Sequence, residues 1–326
     1  MQKKVLRVDF TDFWPGFDKT NNFFYNLLSE KYDVAISDNP DILIYSVYTN
    51  NHTKYNCTRV LFTGENVKPN FTECDYAFTF ERETNAKNYR LPLYALYHDV
   101  INLVNRPVDT DVILNAKTKF CCFLVSNDKC TTRNDFFHQL SKYKQVDSGG
   151  RTLNNIGYQV ADKHDFIKDY KFVIAFENES HPGYTTEKVY EPLIANCIPI
   201  YWGNPFVYED FNTKSFINCH EFSSFDEVIT HIIRVDDDDE LYKQYLREPV
   251  FNSDQLTDFV KKENIVRRLD EIVDFHFNKK LKVYKTIRPA YFRIVAVSKY
   301  TRSKFLWVPN KWRILKSLIN KKSQGK

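Results

Sequence analysis

Short apolar runs alternate with helically spaced ones along most of the chain. KVLRVDF (4–10) predicts a strand, and NNFFYNLLSEKY (21–32) sets Phe24, Leu27 and Leu28 on one helical face. DILIYSVY (41–48), RVLFTG (59–64) and YAFTF (76–80) predict further strands. Strand–helix–strand order with crossover-length connections implies a mainly parallel sheet covered by helices. After Pro107 the pattern dissolves, and a second series starts at Lys119. KFCCFLVS predicts a strand, RNDFFHQLSKY a helix and YKFVIAFEN a strand. The Thr186–Asn196 helix, strands at IPIYWG and SFINC, and helices over 224–277 complete it. The expectation is an α/β chain of two units joined near 107–118, with a ligand cleft between them where strand C-termini meet helix N-termini. A length of 326 residues agrees, being more than one core usually organises.

Charge divides the chain differently. Fifteen of the 46 Lys and Arg lie beyond Asp274, where no Asp or Glu occurs; residues 1–274 therefore hold 31 basic against 42 acidic residues, about −11. A basic tail thus follows an acidic body. In VPNKWRILKSLINKKSQGK (308–326), Pro309 and Asn310 suit a helix start. Trp312, Leu315, Leu318 and Ile319 share one face, with Lys311, Lys316 and Lys322 toward the other. That pattern fits a helix lying on an anionic membrane surface, and docking on the rest of the protein is the alternative. The start MQKKVLRVDF has no apolar stretch of signal-peptide type, and no run approaches a membrane span. Seven cysteines without CxxC spacing read as reduced thiols of a cytosolic protein, and with the basic tail the expected location is cytoplasmic, peripheral on the inner face of the membrane. The Asn51, Asn56 and Asn70 sequons then carry no glycan.

The densest chemistry lies in FENESHPGYTTEKVYEPLIANCIPIYWGNP (176–205). A helix beginning at Thr185 or Thr186 has a Thr cap and a partly positive end. Glu187 suits that end, whereas Lys188 opposes it unless an anion lies in front. A diphosphate held by Lys188, the Tyr184 hydroxyl and the helix start is one reading; a solvated Lys and a packed Tyr is the other. The strands FLVSN and IAFEN end in polar steps, Ser126–Asn127 and Glu177–Asn178, where such sheets present ligands to helix starts. Neither GxGxxG nor GxxxxGK[ST] occurs, which argues against a nicotinamide dehydrogenase or a P-loop ATPase.

This stretch resembles the signature of the alpha-1,3-fucosyltransferases, glycosyltransferase family 10, in its bacterial branch. VDFWPGFDKTNNFFYNLLSEKYDVAISDNPDILIYSVY, LFTGENVKPNF, FLVSN…TRNDFF and DSGG…NNIG are similar to other parts of that family, so the likeness covers roughly residues 5–220. The resemblance implies two Rossmann-like domains facing across a cleft, the GT-B fold: an acceptor domain (1–115), a GDP-fucose domain (116–280), and the basic tail (281–326) beyond both. It implies an inverting transfer of fucose from GDP-fucose to the 3-hydroxyl of GlcNAc in Galβ1,4GlcNAc-type acceptors, as in Lewis-antigen or lipopolysaccharide synthesis. Glu65 of TGEN would be the base. Arg133 and Lys188 would meet the diphosphate and Tyr184 would donate to it. Glu187 would act near the ribose or the fucosyl ring, with Ser126, Asn127 and Asn178 completing the donor site. No cofactor is required, a divalent cation at most stimulating the reaction.

Two features point elsewhere. DDDDE (236–240) has the DxD spacing of manganese-dependent transferases, but it lies just ahead of LYKQYL, where acidic residues favour a helix start, so no metal site is expected. Competing functions are transfer to glucose or to another hydroxyl (alpha-1,4 or alpha-1,2), and non-enzymatic polyanion binding through the tail. The acidic body and the absence of a nucleic-acid motif speak against nucleic acid as a partner.

Overall fold

A computed structural model of the protein describes residues 3–278. The tail at 281–326, with its expected membrane helix, lies outside the described residues.

The first sheet contains β1 (Val5–Thr11), β2 (Asp33–Ile36), β3 (Ile42–Tyr45), β4 (Thr58–Phe62), β5 (Tyr76–Thr79) and β6 (Asn88–Arg90), in the order β2-β1-β3-β4-β5-β6. β1 pairs in parallel with β2 and β3, and β5 with β6. Helix α1 (Phe23–Lys31) starts where the Asn22 side chain accepts from the Tyr25 amide, and it buries Phe24, Leu27 and Leu28. The second sheet has β7 (Lys119–Phe123), β8 (Val146–Ser148), β9 (Tyr170–Phe176), β10 (Ile198–Trp202) and β11 (Ile217–Asn218), in the order β11-β10-β9-β7-β8. All four of its strand pairs are parallel. The α/β expectation with two parallel sheets is met.

Helices α2 (Thr110–Ala116), α3 (Thr131–Leu140), α4 (Lys163–Ile167), α5 (Glu187–Ile194), α6 (Phe225–Asp237), α7 (Asp239–Arg247) and α8 (Lys262–Asn278) follow in order. Phe136 and Leu140 of α3, Phe172 and Ile174 of β9, Ile200 of β10 and Ile232 of α6 meet in one apolar cluster. Burying large side chains of this kind contributes about 1.5–3 kcal/mol each.

Packing divides the chain into two compact units whose boundary falls inside β4. One holds residues 3–60, 70–75 and 270–278; the other holds 61–69 and 76–269. Glu65 therefore belongs to the same unit as the signature stretch.

The acidic run is a helix junction, as its position predicts. The Asp238 side chain accepts from the Glu240 and Leu241 amides and caps α7, while Asp239 and Glu240 fill its first turn. Asp236 is nearly buried and serves differently, pairing with Lys144 (2.5 Å) and Lys171 (3.1 Å).

Candidate active site

The signature helix starts at Glu187, with Thr186 as its cap, and Glu177 organises that start from below. Glu177 follows the last residue of β9, and its own amide donates to the Trp202 carbonyl (2.8 Å). Its fully buried carboxylate accepts from the Thr186 amide (2.8 Å) and hydroxyl (2.7 Å), and it pairs with Lys188 (3.2 Å). A side chain at Gly203 would overlap Glu177 Cγ at 2.4 Å, so only glycine leaves the carboxylate room. Lys188 also contacts Thr186 Oγ1 (3.1 Å) and Glu187 Oε1 (3.4 Å). The anions that make a first-turn lysine tolerable are thus supplied by the chain itself. Burial would lower the Lys188 pKa, but Glu177 and Glu187 outweigh it and raise it. Burial raises Glu177. At Glu187 burial is outweighed by Lys188 and Lys163, which hold its pKa below the ordinary value.

The loop before α5 is held by a second buried network. Asp210 accepts from Thr185 Oγ1 (2.6 Å), Arg90 (2.9 Å), Tyr94 (3.1 Å) and Asn204 (3.3 Å). Asn204 Oδ1 also accepts from the Gly183 amide (2.7 Å). Gly183 has φ +85°, and a Cβ there would lie 2.2 Å from the Phe80 carbonyl, so glycine is required twice over. Together these contacts fix the backbone that presents Thr186 and Lys188.

In front of this start lies a cavity of about 450 Å³. Ser126, Asn127, Asn178, Glu187 and Lys188 line it, and so do Gly149, Gly150, Arg151 and Lys163. A Cβ at Gly150 would lie 2.1 Å from the Val125 carbonyl, so the double glycine lets this loop close onto the chain just beyond β7. Lys163 pairs with Glu191. Arg151 is exposed and makes no hydrogen bond or ion pair among the described residues.

Arg133, Tyr184 and Glu65 are placed differently. Arg133 is fully buried behind the wall, donating to the Phe176 carbonyl (3.2 Å), Asn178 Oδ1 (3.1 Å) and the Asn127 carbonyl (2.6 Å). It holds two lining residues and does not itself line the cavity. Tyr184 is also buried, its ring edge-on to Phe80 at 4.7 Å. Burial lifts its phenol well above the usual value, with the Glu177 charge adding to the rise and Glu65 among the lesser contributors. Glu65 is exposed in a turn where Thr63 Oγ1 accepts from its amide (2.9 Å). The neighbouring Asn66 donates to Glu179 of the signature loop (2.8 Å), so the TGEN turn and that loop are joined directly. The His181 ring Nδ1 lies 2.9 Å from its neighbour's carbonyl, Pro182 O, and the His181 carbonyl accepts from the Tyr184 amide (3.1 Å). Among the described residues no group of His, Cys, Asp or Glu is arranged to hold a metal ion.

Sequence reasoning missed Glu177 as the internal anion, the Asp210–Asn204 network, and Arg151. A signal existed for the last alone: Arg151 directly follows the DSGG of the family pattern.

Residues 8–97 match the family described as "Alpha-(1,3)-fucosyltransferase FucT N-terminal domain", and residues 114–274 match "Glycosyltransferase family 10 (fucosyltransferase) C-term". The chain belongs to the alpha-1,3-fucosyltransferases of glycosyltransferase family 10. It is similar to the Helicobacter pylori protein "Alpha-(1,3)-fucosyltransferase FucT", 34% identical over 251 residues, covering 65% of this chain and 52% of that protein. It is 30% identical over 196 residues to the human "GDP-fucose protein O-fucosyltransferase 3", covering 55% and 40%. The chain spans about half or less of the length of these relatives. A crystal structure of an alpha1,3-fucosyltransferase with GDP-fucose is 28% identical, with a TM-score of 0.73 over 86% of this chain and 93% of that one. One with GDP is 29% identical, TM-score 0.71, over 84% and 91%. The architecture of this family member is thus of the GT-B type.

Proposed function

We propose that this chain transfers fucose from GDP-fucose, with inversion, to the 3-hydroxyl of GlcNAc in Galβ1,4GlcNAc-type acceptors. The observation that carries the reading is the capped start of α5, with Lys188 and Glu187 at the wall of a cavity also lined by Ser126, Asn127 and Asn178. GDP-fucose is the donor bound by a relative of matching fold, and a nucleotide sugar suits a cavity of about 450 Å³.

In this account the diphosphate lies against the α5 start and Lys188, where amides and a fixed cation stabilise charge that grows as the anomeric C–O bond breaks. Arg151 adds a second cation. Arg133 acts through Asn127 and Asn178, which it positions. Glu65, an exposed carboxylate, takes the proton of the attacking hydroxyl. The bond to the acceptor oxygen forms as GDP leaves with the electron pair, through an oxocarbenium-like state that the Glu187 charge favours. The domains are proposed as 1–115 for the acceptor and 116–280 for the donor. The basic tail, 281–326, is proposed to hold the enzyme to the anionic inner membrane face, where surface glycans are assembled.

A second reading, transfer to a different hydroxyl, draws support from the human relative named for protein O-fucosylation. An acceptor panel offered with GDP-fucose and monitored by GDP release separates the two. N-acetyllactosamine as best substrate supports the first reading, and preference for glucose or a peptide hydroxyl supports the second.

A further inference from the structure

We propose that Trp14 and Tyr48 form a stacking platform for the galactose ring of the acceptor disaccharide, an inference that rests on the proposed acceptor class. β1 and β3 are neighbours in parallel register, Val8 opposite Ile42 and Thr11 opposite Tyr45. Trp14 lies three residues beyond Thr11 and Tyr48 three beyond Tyr45, so both occupy loops leaving the C-terminal ends of adjacent strands. Open parallel sheets bind their ligands at that edge. Both rings are large and solvent-facing, Trp14 at 45% and Tyr48 at 49% exposure. They meet edge to face, 6.3 Å apart at 73°.

The pair is braced. Phe13 and Phe17 stack at 3.9 Å, and Trp14 stands on Phe17 at 5.2 Å and 87°. Asp12 then ties the two loops into one body. Its carboxylate accepts from the Thr49 hydroxyl, the Asn51 amide (2.7 Å), and the His52 amide (2.8 Å) and ring (2.6 Å). Its carbonyl accepts from the Tyr48 amide (3.0 Å). Asp12 has φ 62°, a left-handed conformation that costs energy for a residue with a side chain. Such strain is retained where the surroundings over-determine it, which happens often at ligand clamps.

The chemistry selects a sugar, and galactose among sugars. A pyranose ring carries most hydroxyls around its rim and C–H groups on its faces, so it can bury a face on an aromatic ring while its hydroxyls stay solvated. The axial 4-hydroxyl of galactose leaves H3, H4 and H5 together on the opposite face, an apolar patch of about the area of one ring. Glucose-type sugars alternate these hydrogens between faces. A corner of two aromatic rings thus receives one stacked face and one ring edge. It distinguishes a galactose-terminated disaccharide from free GlcNAc without touching the reacting hydroxyl.

The test compares wild type with Trp14→Ala, Trp14→Phe and Tyr48→Leu in the full chain, each checked for an unchanged thermal midpoint. Trp14→Ala is expected to raise KM for N-acetyllactosamine about tenfold, with kcat and GDP affinity within about twofold. KM for free GlcNAc should stay unchanged, and Trp14→Phe should recover most of the loss. Equal KM values for wild type and Trp14→Ala on the disaccharide overturn the platform, as does an equal loss on GlcNAc. If wild type transfers nothing to N-acetyllactosamine, the acceptor reading fails, and saturation-transfer NMR with that disaccharide decides the platform separately. Saturation at galactose H3, H4 and H5 that disappears in Trp14→Ala supports it. Absence of saturation in wild type, or its persistence in the variant, overturns it.

Discussion

Removing both partners of the Glu177–Lys188 pair should cost the start of α5 less than the sum of removing each alone. Glu177 is fully buried, with Thr186 and Lys188 as its partners at 2.7–3.2 Å. In Lys188→Met the carboxylate keeps the two Thr186 hydrogen bonds but loses its counter-charge, and Glu187 stands beside it as a second anion. Breaking a buried pair from one side costs about 3–5 kcal/mol, and this variant belongs at the upper end. Glu177→Gln retains an acceptor for Thr186 and leaves Lys188 with Glu187 at 3.4 Å, so its cost is about 1.5–3 kcal/mol. The double variant removes the uncompensated charge, and its cost should fall short of the sum by about 1–3 kcal/mol. Hydrogen exchange at the amides of β9 and α5 reads the stability of this region directly. Additivity within about 0.5 kcal/mol would show that the two charges do not depend on each other, and the account of the helix start would be wrong.

Further outcomes are expected elsewhere. Glu65→Gln should lower kcat by about 10²–10⁴ with GDP affinity unchanged by calorimetry; near-normal turnover would place the base elsewhere. Arg151→Ala should weaken GDP binding by about 1.5–3 kcal/mol, and unchanged calorimetric affinity would remove Arg151 from the diphosphate. The Asp12–His52 pair should make the β1–β3 loops pH-dependent. Burial works against both charges, yet His52, Thr49 and backbone amides hold Asp12 down to about 2, and Asp12 and Glu73 hold His52 above its usual value. The Asp12 contribution is present above about pH 4 and lost as pH falls toward 2. The His52 contribution is complete below about pH 6.5 and lost as pH rises through its folded value. The stability difference between wild type and His52→Gln should therefore shrink above pH 6.5; a difference that grew with pH would reverse the assignment. The 326-residue chain should co-sediment with anionic vesicles at low salt and leave them at high salt, and a chain ending near Thr286 should do neither. Failure of the 326-residue chain to bind would end the membrane reading.

The strands were legible where they are apolar and interior, as at Ile42–Tyr45 and Tyr170–Phe176. β2 (DVAI), β6 (NYR) and β8 (VDS) are too short and mixed to stand out, and α2 lies in text without periodicity. Local chemistry reads well from sequence: the Thr186 cap of α5 and the Asp238 cap of α7 involve only neighbouring residues. Glu177 looks like a ligand-facing member of the loop because nothing local reveals that its carboxylate turns inward to a threonine nine residues later. Asp210 and Asn204 act on Thr185 and Gly183 from the far side of β10, a relation that exists only after folding. Arg133 shows the same limit. The family resemblance assigns it to the diphosphate, whereas folding seals it against two carbonyls and Asn178.

NMR of the product tests the proposed transfer most directly. Incubation of the full chain with GDP-β-L-fucose and N-acetyllactosamine should yield GDP and trisaccharide in equal amounts. The trisaccharide should carry an α-configured fucose on the GlcNAc 3-oxygen. A β-configured product, fucose on another oxygen, or GDP released without trisaccharide would contradict it.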